Sequence, residues 1–142
     1  MKNIFIGALA ALMTLVSCSS EQSIPYKEAH NYFLRNDVKT LPNGQINSQA
    51  ELESLFGMAA HMGKDGLPTA INFANEFAIA ATVPATDLAT EMSPRSLKRD
   101  GKGNLIFTYR LRQGEKQSYT TQPSLLIIVN RKYEGNVVVR QE

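Results

Sequence analysis

The stretch Leu105-Ile106-Phe107-Thr108-Tyr109-Arg110-Leu111-Arg112 decides how the second half of the chain reads. Leu105, Phe107, Tyr109 and Leu111 alternate with Ile106, Thr108, Arg110 and Arg112, the period of two that sends successive side chains to opposite faces of a sheet. A strand with one apolar face needs a second layer to cover it. Immediately upstream, Asp100-Gly101-Lys102-Gly103-Asn104 is a hairpin-turn signal. Before it, Met92 to Lys98 reads as a weaker strand interrupted by Pro94, which suits an edge because proline has no N–H to donate. Downstream, Gln113-Gly114-Glu115 reads as another turn, after which Gln117 to Thr121 pairs back. Pro123 then precedes Leu125-Leu126-Ile127-Ile128-Val129, an unbroken apolar run expected of a strand covered on both faces. Asn130 to Asn136 turns the chain into a last strand, Val137 to Arg140.

Moving further upstream, Phe77 to Val83 is a second apolar run of the buried kind, and Pro84 to Glu91 reads as the loop that follows it. Ala70 to Phe73 reads as a strand before Asn75-Glu76. Asn47-Ser48-Gln49-Ala50-Glu51 is a capping box, in which Ser48 accepts from the amide of Glu51 and the Glu51 side chain reaches back to Ser48. Leu52, Leu55, Phe56, Ala59 and Met62 then recur at spacings of three and four, so a helix is expected over about 49–61, with Gly63 as its left-handed stop. Tyr32 to Lys39 reads as a strand and Leu41-Pro42-Asn43-Gly44 as a turn. The sum is an α+β fold: a mostly antiparallel sheet of six to eight strands, curled into a partial barrel or sandwich, with one packed α-helix.

The start of the chain has a different character. Lys2 and Asn3 precede the uncharged run Ile4 to Val16, a positive start and a short apolar core, as in a secretory signal. The run is shorter than the roughly 20 residues of a permanent membrane span. Leu15-Val16-Ser17-Cys18 resembles the bacterial lipobox, which implies cleavage before Cys18, lipid attachment to Cys18 and tethering to a membrane. Several acyl chains hold far more firmly than one, at about 0.8 kcal/mol per buried methylene. Ser19, which is not aspartate, implies by the same resemblance the outer rather than the inner membrane, with the leaflet left open. The expected organisation is a signal peptide over 1–17, a lipidated flexible tether over 18–30 and a single globular domain over 31–142.

Composition limits the chemistry. The 142 residues carry 15 Lys+Arg against 13 Asp+Glu, and removal of Lys2 with the signal leaves the chain near neutrality, so nucleic acid is not an expected partner. Basic residues gather at Arg95, Lys98, Arg99 and Lys102, and again at Arg110, Arg112 and Lys116, as expected of solvated strand ends. Cys18 is the single cysteine, which excludes an internal disulfide. His30 and His61 are the only histidines. His61 is expected in the last helical turn, where the helix dipole favours it, and His61 with Asp65 offers two metal ligands without a third. Ser54 and Ser118 lack a nucleophile-elbow setting, and the carboxylates Glu51, Glu53, Asp65, Glu76, Asp87 and Glu91 are scattered. The sequence therefore predicts no enzyme, no cofactor and no metal site.

The order of elements, with Ser48 to Phe56 in the helix, Pro68-Thr69-Ala70-Ile71-Asn72-Phe73, the apolar strand, a hairpin, Pro123 and a buried strand, resembles the C-terminal domain family of PrcB over about residues 32 to 140. Asn72 stands where that family more often has aspartate, and Pro84-Ala85-Thr86-Asp87 replaces its glycine-rich turn. The resemblance implies a non-enzymatic accessory or binding lipoprotein whose partner is a secreted protease. Thr86 and Asp87, in the turn after the apolar strand, are then candidate partner-binding residues. Tyr119 and Tyr133, expected to flank turns, are two more, and they also suit a glycan or peptide ligand.

Overall fold

The structure, a computed structural model, describes residues 21–64 and 66–142. The elements in chain order are β1 (Gln22–Ser23), β2 (Lys27–Ala29), β3 (Tyr32–Leu34), β4 (Gly44–Ile46), α1 (Gln49–Leu55), β5 (Phe56–Met58), β6 (Glu76–Thr82), β7 (Thr86–Arg99), β8 (Leu105–Thr121), β9 (Ser124–Asn130) and β10 (Val137–Gln141), with a 3₁₀ turn at Arg131–Tyr133. The fold is α+β and mostly antiparallel, with ten strands in three sheets among the described residues and no closed barrel. One four-stranded sheet has the order β1-β7-β8-β10, a second has β2-β9-β6-β4, and β3 pairs with β5. The β8–β10 pair is parallel.

The two apolar runs β6 and β9 pair antiparallel along their whole length, from Glu76 opposite Asn130 to Thr82 opposite Ser124. Alternation then divides their side chains between two cores. Phe77, Ile79 and Ala81 with Leu125, Ile127 and Val129 face Leu97, Leu105, Phe107 and Tyr109 of the other sheet, and this is the core of a sandwich. Ala78, Ala80, Leu126 and Ile128 face the opposite way, against Ile46, Leu34, Phe56 and Leu52 of α1. Fully burying each large side chain contributes about 1.5–3 kcal/mol, so both layers are needed to hold one strand pair. Thr82 is the one buried polar residue described. Its N–H donates to Asn43 Oδ1 at 2.9 Å and its hydroxyl to the Pro42 carbonyl at 2.9 Å, so it carries no unmet desolvation cost.

Several expectations are corrected. The helix ends at Leu55, because Phe56 turns to extended geometry (φ −124, ψ 142), buries its ring in the second core and pairs with Leu34. Gly57 follows, a poor helix former. His61 and Gly63 therefore lie outside the helix; Gly63 does adopt a positive φ of 108, but in the loop after β5. In the capping box Ser48 Oγ accepts from Glu51 N at 3.1 Å as expected, whereas the Glu51 carboxylate accepts from the N–H of Asn47, at 2.7 Å, and not from Ser48. Ala70 to Phe73 is not a strand. Ile71 and Phe73 pack on the second core while Asn72 organises a turn, its carbonyl accepting from Asn75 N and Glu76 N and its side chain from Ala74 N. The strand expected over Tyr32 to Lys39 stops at Leu34. Residues 22–29, expected to be part of a flexible tether, are folded instead: β1 and β2 occupy most of them, and Ile24 is buried in the sandwich core.

The largest correction concerns Pro84 to Thr121. Thr86 to Glu91 belongs to β7 and not to a loop, and Gln113-Gly114-Glu115 continues β8 instead of turning it. The turn at Asp100–Asn104 forms where a positive φ is available, at Gly103 (φ 88), and Gly114 takes no such conformation. Pro94 sits on the open side of β7, beside a bulge at Arg95, since β1 covers only Lys98 and Arg99. Proline and bulges are devices that keep an open edge from pairing indiscriminately.

Two outcomes follow for stability. Ile127→Ala, at a position with no exposed surface, is expected to cost about 2–5 kcal/mol in urea denaturation without changing the fold. In the turn, hydrogen bonds from the Asn104 side chain and backbone to Asp100 hold its carboxyl below the usual carboxylate range. A depressed folded pKa gives stability that is complete above the usual range and is lost as pH falls through the folded value. NMR titration of the Asp100 carboxyl is expected to show the low value, with Asn104→Ala raising it towards normal.

Candidate functional site

Strands β7 and β8 outrun the sandwich that holds their lower halves. β10 accompanies β8 only from Leu105 to Tyr109, and β1 accompanies β7 only at Lys98 and Arg99. Beyond these points, residues 86–93 and 110–121 pair with each other alone among the described residues. The result is a two-stranded ribbon joined to the body at both ends, by the sandwich halves of β7 and β8 at one and by the short links 83–85 and 122–123 to β6 and β9 at the other. It leaves the sandwich with Met92 opposite Leu111, both packed against the edge of the first core, and is polar further out.

The ribbon is irregular in a way that shapes a hollow. Thr90 opposes Gln113, Leu88 opposes Lys116 and Thr86 opposes Thr121, so β8 carries extra residues between each of these pairs. Bulges of this kind increase local twist and bend the strand that holds them. The bent ribbon borders a groove of about 550 Å³ lined by Thr90, Glu91, Arg112, Gln113, Gln117 and Tyr119, together with Pro123 just beyond β8. Tyr119 is 57% exposed and its hydroxyl accepts from Gln117 Nε2 at 2.8 Å. Lys116 Nζ lies 3.6 Å from Asp87 Oδ2, a half-exposed pair contributing at most about 1 kcal/mol. At the ribbon's base, Arg110 Nε lies 3.0 Å and Arg95 Nε 3.2 Å from the Glu142 carboxylate. Hydrogen bonds from Arg110 and then Arg95 hold that carboxyl below its usual range.

Of the residues marked out by the sequence, Thr86, Asp87 and Tyr119 come together on this ribbon, with Thr86 opposite Thr121 at its end. Tyr119 lies within a strand and not beside a turn. Tyr133 is elsewhere: it stands in the 3₁₀ turn at the opposite pole, packed on the first core, with Lys132 Nζ 5.1 Å above its ring and its carbonyl accepting from Arg99. Cys18, Ser19 and Asp65 lie outside the described residues. His61 is exposed in the loop after β5, where its amide donates to the Gly66 carbonyl, and the amide of His30, between β2 and β3, donates to the Thr69 hydroxyl at 2.9 Å. Ser54 Oγ donates to the Glu51 carbonyl, a local helix bond, and Ser118 is exposed on the ribbon.

The groove residues Thr90, Gln113 and Gln117 were not among the sequence candidates, because reading a turn at Gln113-Gly114-Glu115 separates residues that the ribbon brings side by side. A signal was present: no Asn or Asp precedes Gly114, unlike the Asp100–Asn104 turn. Among the described residues no three His, Cys, Asp or Glu side chains come together, and no helix is long and apolar enough to cross a membrane. Comparison with protein-family models, with curated proteins and with solved structures gives no match.

Proposed function

We propose that this protein is a lipid-anchored binding module without enzymatic activity, placed in the outer membrane by lipid on Cys18 and engaging its partner on the β7–β8 ribbon. The ribbon carries this reading. It presents an exposed aromatic, a bent polar groove and, among the described residues, two strands with no third strand beside either of them, on a body whose fully buried core residues all lie outside it. A ribbon of ordered backbone that leaves a tyrosine exposed is organised for contact, since aromatics at such positions commonly anchor interfaces. The candidate partner is a secreted protease, as the resemblance to the PrcB C-terminal domain family implies, with the protein acting as an accessory or regulatory subunit.

A glycan or peptide ligand is the second reading, favoured by the grouping of Tyr119 with the amides of Gln113 and Gln117 and the charged ends of Glu91 and Arg112 along one groove. Position within the fold suits either partner. Chain entry at residue 21 and the ribbon end at Thr86 and Thr121 lie at opposite poles of the sandwich, because β1 meets the Arg99 end of β7. An anchor at Cys18 therefore leaves the ribbon end free of the attachment point.

Two experiments test this function. Chemical-shift titration with a secreted protease from the same cell envelope is expected to move the amides of 86–91 and 113–121, and Tyr119→Ala to weaken binding at least tenfold with the fold unchanged. Movement with oligosaccharides alone selects the glycan reading, and no movement with either sinks both. For the anchor, Cys18→Ala is expected to shift the protein from the membrane to the soluble fraction and to abolish the added lipid mass on the N-terminal peptide.

A further inference from the structure

The two basic clusters that are separate in the sequence become neighbours in space. Leu97, Leu105 and Phe107 point into the sandwich, so Lys98, Ile106 and Thr108, one position along, point out. The pairing of β8 with β10 places Val138 beside Ile106 and Arg140 beside Thr108 on this outer face, and pairing with β7 places Glu91 beside Arg112 and Ser93 beside Arg110. With Arg95 and Arg110 on the Glu142 carboxylate, the face carries Arg95, Lys98, Arg110, Arg112 and Arg140 against Glu91 and Glu142. Strands about 4.8 Å apart and side chains about 7 Å apart along each strand spread these charges over a plane. The excess is positive although the chain as a whole is near neutral, and no described layer covers this side of the sheet.

We propose that this face of the β1-β7-β8-β10 sheet lies against the anionic phospholipid headgroups of the membrane that holds the protein. The inference rests on the anchor reading in one respect, the position of Cys18. β1 is the edge strand of this same sheet, and Ser23, opposite Lys98, shares its outer face. Two residues separate Cys18 from Glu21, a covalent reach of about 11 Å at most over three Cα–Cα steps. The 13-residue tether expected from sequence would have let the domain range freely; a link this short holds the sheet's edge near the bilayer. Its basic side chains then fall within about a Debye length of the headgroups, where attraction is not yet screened. A planar spread of charge around Ile106 and Val138 complements a planar surface, and Glu91 and Arg112, which also line the ribbon groove, mark where that face meets the groove.

The test uses the chain from residue 18 onward carrying Cys18→Ser, which keeps every described core residue and has no lipid. It is expected to sediment with phosphatidylcholine vesicles containing phosphatidylglycerol, to do so less as salt rises, and not to sediment with phosphatidylcholine alone. Combined Lys98→Gln, Arg110→Gln and Arg140→Gln is expected to weaken binding about a hundredfold, at roughly fivefold per charge; Lys39→Gln, outside this sheet, is expected to leave it unchanged. Thermal unfolding of each variant reports folding, and the salt dependence of the unsubstituted chain tests the surface without any variant. Salt-independent binding, undiminished binding by a folded triple variant, or binding to polyglutamate without binding to vesicles each overturns the inference. Such a failure leaves the anchor standing if the native chain still carries lipid on Cys18, and absence of that lipid with vesicle binding intact removes the anchor alone.

Discussion

The pairing of β6 with β9 is the constraint from which the rest of the structure follows. Two seven-residue strands, apolar on both sides, cannot be satisfied by one covering layer, so the chain has to build two. The long β7–β8 hairpin with β10 closes one side and makes a sandwich. Helix α1, Ile46 and the β3–β5 pair close the other. The short strands β2 and β4 then take the two edges of the buried pair, and their register is set by which side chains they must direct inward, Ala29 and Ile46 among them.

That constraint also explains what could be read in the sequence. The apolar runs at 77–83 and 125–129 announce themselves because burial on both faces leaves almost no position for a polar residue, Thr82 with its hydrogen bonds excepted, and the alternation from Leu105 to Leu111 announces a strand with one wet face. Ser48 and Glu51 mark the helix start through local chemistry that needs no tertiary partner. The helix end was not legible. Ala59 and Met62 continue the spacing, whereas the actual stop is set by Phe56, whose place in the second core depends on Leu34 and on strands far away in sequence. Ala70 to Phe73 misleads for a related reason: Ile71 and Phe73 are apolar because they plug that core, and period alone does not separate a plug from a strand.

The site was half legible for a further reason. Thr86, Asp87 and Tyr119 stand out as polar or aromatic residues beside apolar runs, but their place on one ribbon depends on β7 and β8 continuing past the point where the sandwich ends. Whether Gly114 turns the chain is a question of its φ, and a glycine permits a turn without requiring one. The basic outer face was hidden in a similar way, since only the β7–β8–β10 register reveals that Lys98, Arg110 and Arg140 share it.

The path of the chain from β1 to β2 has a mechanical meaning. β1 belongs to one sheet and β2 to the other, and Ile24 between them is buried in the core that joins the sheets. A pull on the N-terminal end runs along the strands, so it loads the β1–β7 bridge and the Ile24 N–H bond to the Leu97 carbonyl in shear and together, not one after another. Behind them, β2 passes the strain to β9, the strand on which both cores rest. The sandwich is thus gripped by both of its leaves at the point where the chain enters, and a sideways tug spreads through the whole body instead of peeling one sheet away.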